Sequence, residues 1–147
     1  MSPLSPEQLA LLSAACRHVR DAEGLLTAAE PSPDQAWHLA GFGPECVKKA
    51  CLETNLLHRV LGHELGAAGD QLLDWWIPLD PAAWRYRLTG WTADEPRLDE
   101  WRPDHRYEKT GHRAATAAAE LTRAARQKVD GVLADLWIDG RVTPGAL

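Results

Sequence analysis

The stretch Leu39-Ala-Gly-Phe-Gly-Pro-Glu-Cys-Val-Lys-Lys-Ala-Cys-Leu-Glu53 decides the fold. It is mostly apolar, yet with His38 just ahead of it one helical face carries a histidine, a glutamate and a lysine. At about 100° per residue, His38, Glu45 and Lys49 fall in a narrow stripe, with Glu45 and Lys49 one turn apart. Trp37, Ala40, Val47, Ala50 and Cys51 point elsewhere. A mainly buried helix must satisfy such a stripe with a partner helix, a second subunit or a ligand.

The spacing predicts a helix from Pro33 to about Leu57 around this stretch. Ser32-Pro33-Asp34-Gln35 at its start nearly repeats Ser5-Pro6-Glu7-Gln8. Both read as capping boxes, with serine as cap, proline in the first helical position, an acid near the positive end of the dipole and a glutamine reaching back. Pro44 removes a backbone donor and predicts a kink in this second helix. Gly41 and Gly43 predict that another backbone comes close there. A phosphate loop is the weaker reading, because no strand precedes Gly41-x-Gly43.

The first helix is expected over Pro6 to Thr27, with Leu9, Leu12, Cys16, Val19 and Leu26 as its apolar stripe. Gly62 and Gly66 bracket a break, followed by a helix from Ala67 to Ile77 that stops before Pro78. Asp80-Pro81 reads as the start of a short helix ending near Gly90, and another is expected around Glu95 to Trp101. Arg102 to Thr110 reads as loop, broken by Pro103. The last helix should run from about His112 to Ile138. Its buried face is Ala114, Ala118, Leu121, Ala125, Val129, Val132 and Leu136, and its solvated face Glu120, Arg123, Gln127 and Asp130. Asp139-Gly140 ends it, and residues 141–147 are expected to form a loose tail. No segment alternates with period two. The expected architecture is a single all-α domain over residues 1–140, an antiparallel bundle of four to six helices with a kinked second helix.

The chain has 147 residues, 45% hydrophobic and 25% charged, which suits one domain with one core. No apolar run is long enough to span a bilayer. Met1-Ser-Pro-Leu-Ser-Pro-Glu lacks the basic start and apolar core of a signal peptide, so the expected location is the cytoplasm. Three cysteines, Cys16, Cys46 and Cys51, without a C-x-x-C motif make a poor disulfide framework and read as small buried residues. A net charge of −5 argues against coating nucleic acid through bulk positive charge. A local basic groove stays possible, because Arg97, Arg102, Arg106, Lys109, Arg113, Arg123, Arg126 and Lys128 crowd the last third, with His105 and His112 among them.

Three motifs in this order carry a resemblance. Leu39-Ala-Gly-Phe-Gly-Pro-Glu-Cys-Val-Lys-Lys-Ala resembles the L-A-G-Y-x-x-E-x-x-x-K-A helix of HEPN domains (higher eukaryotes and prokaryotes nucleotide-binding). His63-Glu64-Leu65 is similar to the family's His-acid-Leu motif, and Arg106-Tyr107 to its Arg-Tyr motif before the last helix. Together they cover about two thirds of the chain. Pro44 departs from the family's helix-friendly residue, and Gly111 and Pro103 depart around the Arg-Tyr motif. The resemblance implies a small helical bundle that forms a homodimer and works on RNA or nucleotides. Many HEPN proteins are ribonucleases, often toxins, with Arg-x4–6-His at a dimer cleft. Others accompany a minimal nucleotidyltransferase, which can serve as antitoxin, and some act without catalysis as binding or assembly modules.

Arg106-Tyr-Glu-Lys-Thr-Gly-His112 satisfies the arginine-to-histidine spacing. Metal-free RNA cleavage needs a base for the 2′-hydroxyl, an acid for the leaving oxygen and positive charge for the transition state. His112 suits base or acid, Arg106 suits a bidentate phosphate, and Tyr107 can donate or stack. Lys48, Lys49, Lys109, Arg113 and His38 are the candidates for binding RNA or nucleotide. The plainer alternative pairs Arg106 with Glu45 as a structural bond and leaves His112 exposed in the first turn of the last helix. Six histidines include no H-E-x-x-H motif, so no metal or other cofactor is expected. Trp75, Trp76, Trp84, Trp91 and Trp101 suit bases, cores or subunit interfaces, and of adjacent Trp75 and Trp76 one should be core and one exposed.

Overall fold

The computed structural model describes residues 2–53, 55–143 and 145–147, with residues 55–57 described by their backbone only. The regular structure among the described residues is all helical, with no strand among them. The helices are α1 (Pro6–Thr27), α2 (Pro33–Cys51), α3 (Asn55–Leu61), α4 (Ala67–Trp76), α5 (Ala82–Arg85), α6 (Trp91–Asp94), α7 (Arg97–Glu100) and α8 (Ala115–Ile138), with a 3-10 turn over Pro103–Tyr107 before α8. The count among the described residues therefore exceeds the expected four to six. The excess comes from the centre, where Pro78, Pro81, Gly90 and Pro96 cut the chain into single turns too short to show a period.

Three long rods build the core. α1 packs on α2, and both pack on α8. Glu23 near the end of α1 pairs with Arg126 of α8, and Leu4 bonds Arg141, so α1 and α8 run antiparallel. The start of α2 meets the start of α8's approach through Asp34 and Arg113, so α2 and α8 run parallel. Three mutually packed rods cannot all be antiparallel. The apolar stripes lie largely where their periods put them: Leu12, Val19, Trp37, Ala40, Val47, Ala50, Ala118, Leu121, Ala125, Val129 and Leu136 are all fully buried, whereas Leu9, Cys16 and Leu26 are half-buried and Ala114 is exposed ahead of α8.

The two serine boxes separate. Ser5 caps α1 by accepting the Gln8 amide, and the Gln8 side chain accepts the Ser5 amide. Ser32 makes no side-chain cap bond, and Asp34 turns its carboxylate outward to another loop instead. The second helix ends at Cys51 rather than Leu57, since Leu52 is extended and buried against the core. The expected continuation crosses Thr54, outside the described residues. α2 is helical through Pro44. The close approach at its glycines is by side chains, not by backbone. A β-carbon on Gly41 would fall inside the Trp101 indole, and one on Gly43 would meet Val19 at 2.5 Å.

Two further corrections concern the C-terminal third. α8 begins at Ala115, three residues after His112. The segment after α8 is tied down at its start: Arg141 and Val142 are buried, and Arg141 reaches the Ser2 carbonyl and Glu53. Asp80 is buried, and its carboxylate accepts the Glu53 amide and ties α2's exit to α5. Among the described residues no helix is long and apolar enough to cross a membrane.

Candidate functional site

The first half of α2 is an anchor for the loop that carries Arg106. Trp37 is fully buried, and its indole N–H donates to Nδ1 of His105 at 2.9 Å. The Arg102 amide donates to the same nitrogen at 3.2 Å. Nδ1 is therefore an acceptor, which places the His105 proton on Nε2. Burial, with Arg113 next in weight, holds His105 below the usual histidine range and keeps it in this accepting form. One turn earlier in α2, Asp34 accepts the Gly111 amide at 2.8 Å and the Arg113 amide at 2.9 Å. The Arg113 guanidinium stacks on Trp37 with 4.3 Å to the ring centroid. The loop is thus gripped at residue 105 and again at residues 111–113. Gly111 has φ +85°, so its backbone suits glycine at the second grip.

Between the grips the side chains face water. Arg106 and Tyr107 are exposed, and the Arg106 guanidinium lies over the Tyr107 ring at 4.7 Å. Lys109 and His112 are exposed as well. Among the basic residues that crowd the last third, Arg97, Arg102, Arg113, Arg123, Arg126 and Lys128 all bond carboxylates or carbonyls. Among the described residues, Arg106 and Lys109 alone of that set have no oxygen partner. No hydrogen bond, ion pair or ring contact joins Arg106 to His112 among the described residues; His112 Nε2 lies 3.7 Å from Glu108 instead.

The polar stripe of α2 runs on from this loop. His38 is half-buried beside Arg106, and burial first, then the Arg106 charge, holds it below the usual histidine range. Its Nδ1 is shut off from water without a hydrogen-bond partner. Phe42, one turn further, is a hub: its ring meets His38 at 5.0 Å, Trp101 at 5.0 Å, His18 at 5.6 Å and His63 at 6.4 Å between centroids. Next comes Glu45, 5% exposed, whose carboxylate takes Lys49 at 2.7 Å and His63 Nδ1 at 2.9 and 3.0 Å. Glu45 is therefore held by Lys49 and His63, not by Arg106. The expected Glu45–Arg106 bond fails because the turn after α3 brings His63 to the carboxylate first. Gly62, at φ +52°, makes that turn.

Three predicted binding residues are spent on structural pairs. Lys48 has no exposed surface; its ammonium bonds Asp70 at 2.9 Å and sits 4.5 Å over the Trp91 ring. The other Asp70 oxygen accepts the amide and hydroxyl of Thr92, so this buried group ties α2, α4 and α6 together. Burial lowers the Lys48 pKa, and Asp70 opposes the shift. Arg113 is neutralised by a two-pronged bond to Glu108, at 2.9 and 2.7 Å. Lys49 is mostly covered and spent on Glu45. Trp76 packs on the core while Trp75 is exposed. Among the described residues no cluster of histidine, cysteine or carboxylate side chains is arranged to hold a metal ion. The anchoring role of His105 had no sequence signal, since its partner Trp37 lies 68 residues away.

Set against known protein families, curated proteins and solved structures, the chain matches none of them.

Proposed function

We propose that this chain is a HEPN-like cytoplasmic protein that acts on RNA as a metal-independent endoribonuclease of the toxin or defence type. It works as a homodimer, with its second helix bent at Pro44. Arg106 grips the phosphate, Tyr107 stacks or donates beside it, Lys109 adds charge, and His112 exchanges a proton with the substrate. One observation carries the reading. In a chain of net charge −5, a loop pinned at both ends leaves Arg106 and Lys109 without acidic partners. An arginine that costs nothing to strip from a carboxylate is free to take phosphate, and its stacking on Tyr107 preorganises the planar fork.

The test is cleavage of single-stranded RNA by purified protein in the presence of a chelator. Arg106→Ala and His112→Ala are expected to abolish cutting while the helical signal and the melting temperature stay as in the wild type. RNA left whole by the wild-type protein, or cut equally by either variant, overturns the assignment.

A second reading has its own observation. A cleft of about 800 Å³ between α5–α6 and α8 is lined by Trp84, Arg87, Lys128 and Asp135, and Trp84 is 71% exposed. Such a surface supports a non-catalytic module that binds a nucleotide or assembles with a minimal nucleotidyltransferase. Calorimetry with ATP, compared between wild type and Trp84→Ala, separates this reading from the first.

A further inference from the structure

We propose that Glu45 and His63 form a proton-transfer dyad, and that the outward Nε2 of His63 is the general base of the RNA-cleaving site; the substrate in this proposal rests on the reading above. The geometry begins with the carboxylate. Both Glu45 oxygens lie within 3.0 Å of His63 Nδ1. A carboxylate only accepts, so Nδ1 carries the hydrogen and Nε2 is left with its lone pair. The Glu45 side chain is 6% exposed and that of His63 59%. One end of the dyad is thus buried and fixed, and the other meets solvent. This is the arrangement in which a carboxylate fixes the tautomer of a histidine and steadies the imidazolium formed when it takes a proton.

The surroundings suit a substrate. Phe42 touches both His63 and His38, and His38 lies within reach of the Arg106 charge. His38 and His63 therefore flank one aromatic hub, and the Arg106 charge acts on its His38 end. Lys49 bonds the same Glu45 oxygen that faces His63, which fixes the nearly buried carboxylate in place.

The step balances without metal, water or redox partner. Nε2 of His63 takes the proton of a ribose 2′-hydroxyl. The 2′-oxygen forms a bond to the adjacent phosphorus, and the bond from phosphorus to the 5′-oxygen breaks. The 5′-oxygen leaves with a proton from His112. The products are a 2′,3′-cyclic phosphate and a 5′-hydroxyl. Arg106 holds the non-bridging oxygens, and Glu45 is a positioning residue that acts through His63.

His112 is a natural internal control, since its side chain is 55% exposed against 59% for His63, but it has no buried carboxylate at bonding distance. Diethyl pyrocarbonate, followed site by site by mass spectrometry, reads the nucleophilicity of each ring. The expected result is faster modification of His63 than of His112, with the difference lost in Glu45→Gln. In the cleavage assay His63→Ala should lose about 10²–10⁴-fold in rate, and Glu45→Gln at least about tenfold, with cyclic-phosphate ends on the residual product. His63 lies on an exposed turn, so His63→Ala is expected to melt as the wild type does. Equal modification of the two histidines, or no effect of Glu45→Gln, overturns the dyad. Cleavage by His63→Ala at the wild-type rate overturns the base role while leaving Arg106 in place. Wild-type protein that spares RNA yet shows the Glu45-dependent reactivity supports the dyad and overturns RNA as its substrate.

Discussion

Gly41 and Gly131 are both helical glycines, and the structure gives their replacement by alanine opposite signs. Alanine is favoured over glycine by about 1 kcal/mol in a helix interior. At Gly131 a β-carbon meets nothing within 4 Å, so the whole of that gain should appear. At Gly41 the β-carbon falls within the Trp101 indole, which has no exposed surface and is held by its N–H donating to the His38 carbonyl at 3.1 Å. The ring is a rigid body on a buried turn, so it must shift as a whole. Overpacking of this kind costs about 1–3 kcal/mol, and losing the indole bond adds about 1 kcal/mol. After subtracting the propensity gain, Gly41→Ala should be destabilised by about 1–3 kcal/mol. A chain of this length unfolds with an entropy of about 0.3 kcal/mol per kelvin, so 1 kcal/mol is about 3 °C. Thermal unfolding followed by circular dichroism should therefore show Gly41→Ala falling by about 3–10 °C and Gly131→Ala rising by up to about 3 °C. A Gly41→Ala protein as stable as the wild type would mean that Trp101 does not rest on α2, and the packing of the whole Arg106 loop would have to be redrawn.

Four shorter predictions follow from other contacts. Lys48→Met strands Asp70 in the interior, eased by its Thr92 bonds, and should cost about 3 kcal/mol in chemical denaturation. Ser5→Ala should cost about 1 kcal/mol through loss of the capping box, whereas Ser32→Ala should be close to neutral because that hydroxyl makes no cap bond. His18, His38 and His105 are all held below the usual histidine value of 6.5, so the unfolded chain takes up protons first. Stability is then full above about pH 6.5 and should fall as pH drops below it, with a shallower slope in His105→Gln. Burial pushes the Cys46 thiol to about 11 and the Cys51 thiol to about 12, so a thiol reagent at neutral pH should label neither until the protein is unfolded.

The long rods were legible because each buries a stripe that repeats every three or four residues. Pro6–Thr27 and the end of the last helix at Ile138 come directly from that repeat and from Ser5, Asp139 and Gly140. The start of α8 was not legible. His112, Arg113 and Ala114 have helix-compatible side chains, but Gly111 stands at φ +85° and Ala114 is extended at ψ 142°, with the Gly111 and Arg113 amides tied to Asp34, so the helical backbone begins only at Ala115. Ser32 differs from Ser5 in its backbone: it stands at φ −121°, ψ 84° instead of the extended φ −66°, ψ 161° of Ser5, and its hydroxyl makes no cap bond. The centre failed for a different reason. Four-residue helices have no period to detect, and their ends are set by Asp80, Asp99 and Asp70 bonding amides more than twenty residues away.

The candidate site divides along the same line. A surface cation is legible as a type and a position: Lys109 is where its loop assignment put it, while Arg106 is exposed as expected but sits in the 3-10 turn Pro103–Tyr107. A pairing is not legible, because it depends on which of several opposite charges arrives first. Glu45 had Lys49 one turn away, Arg106 across the motif order and His63 beyond a glycine break. The break decided it. Gly62 in a left-handed turn brings His63 back over α2, so the carboxylate that would have locked Arg106 is occupied. An arginine released in this way stays available to solvent, and the histidine that displaced it gains a fixed tautomer. The substitution of one partner for another thus changes two residues at once. Gly62→Ala, which opposes the positive φ without meeting any side chain, should loosen His63 from Glu45 and lower its reactivity while leaving α2 and its core face folded.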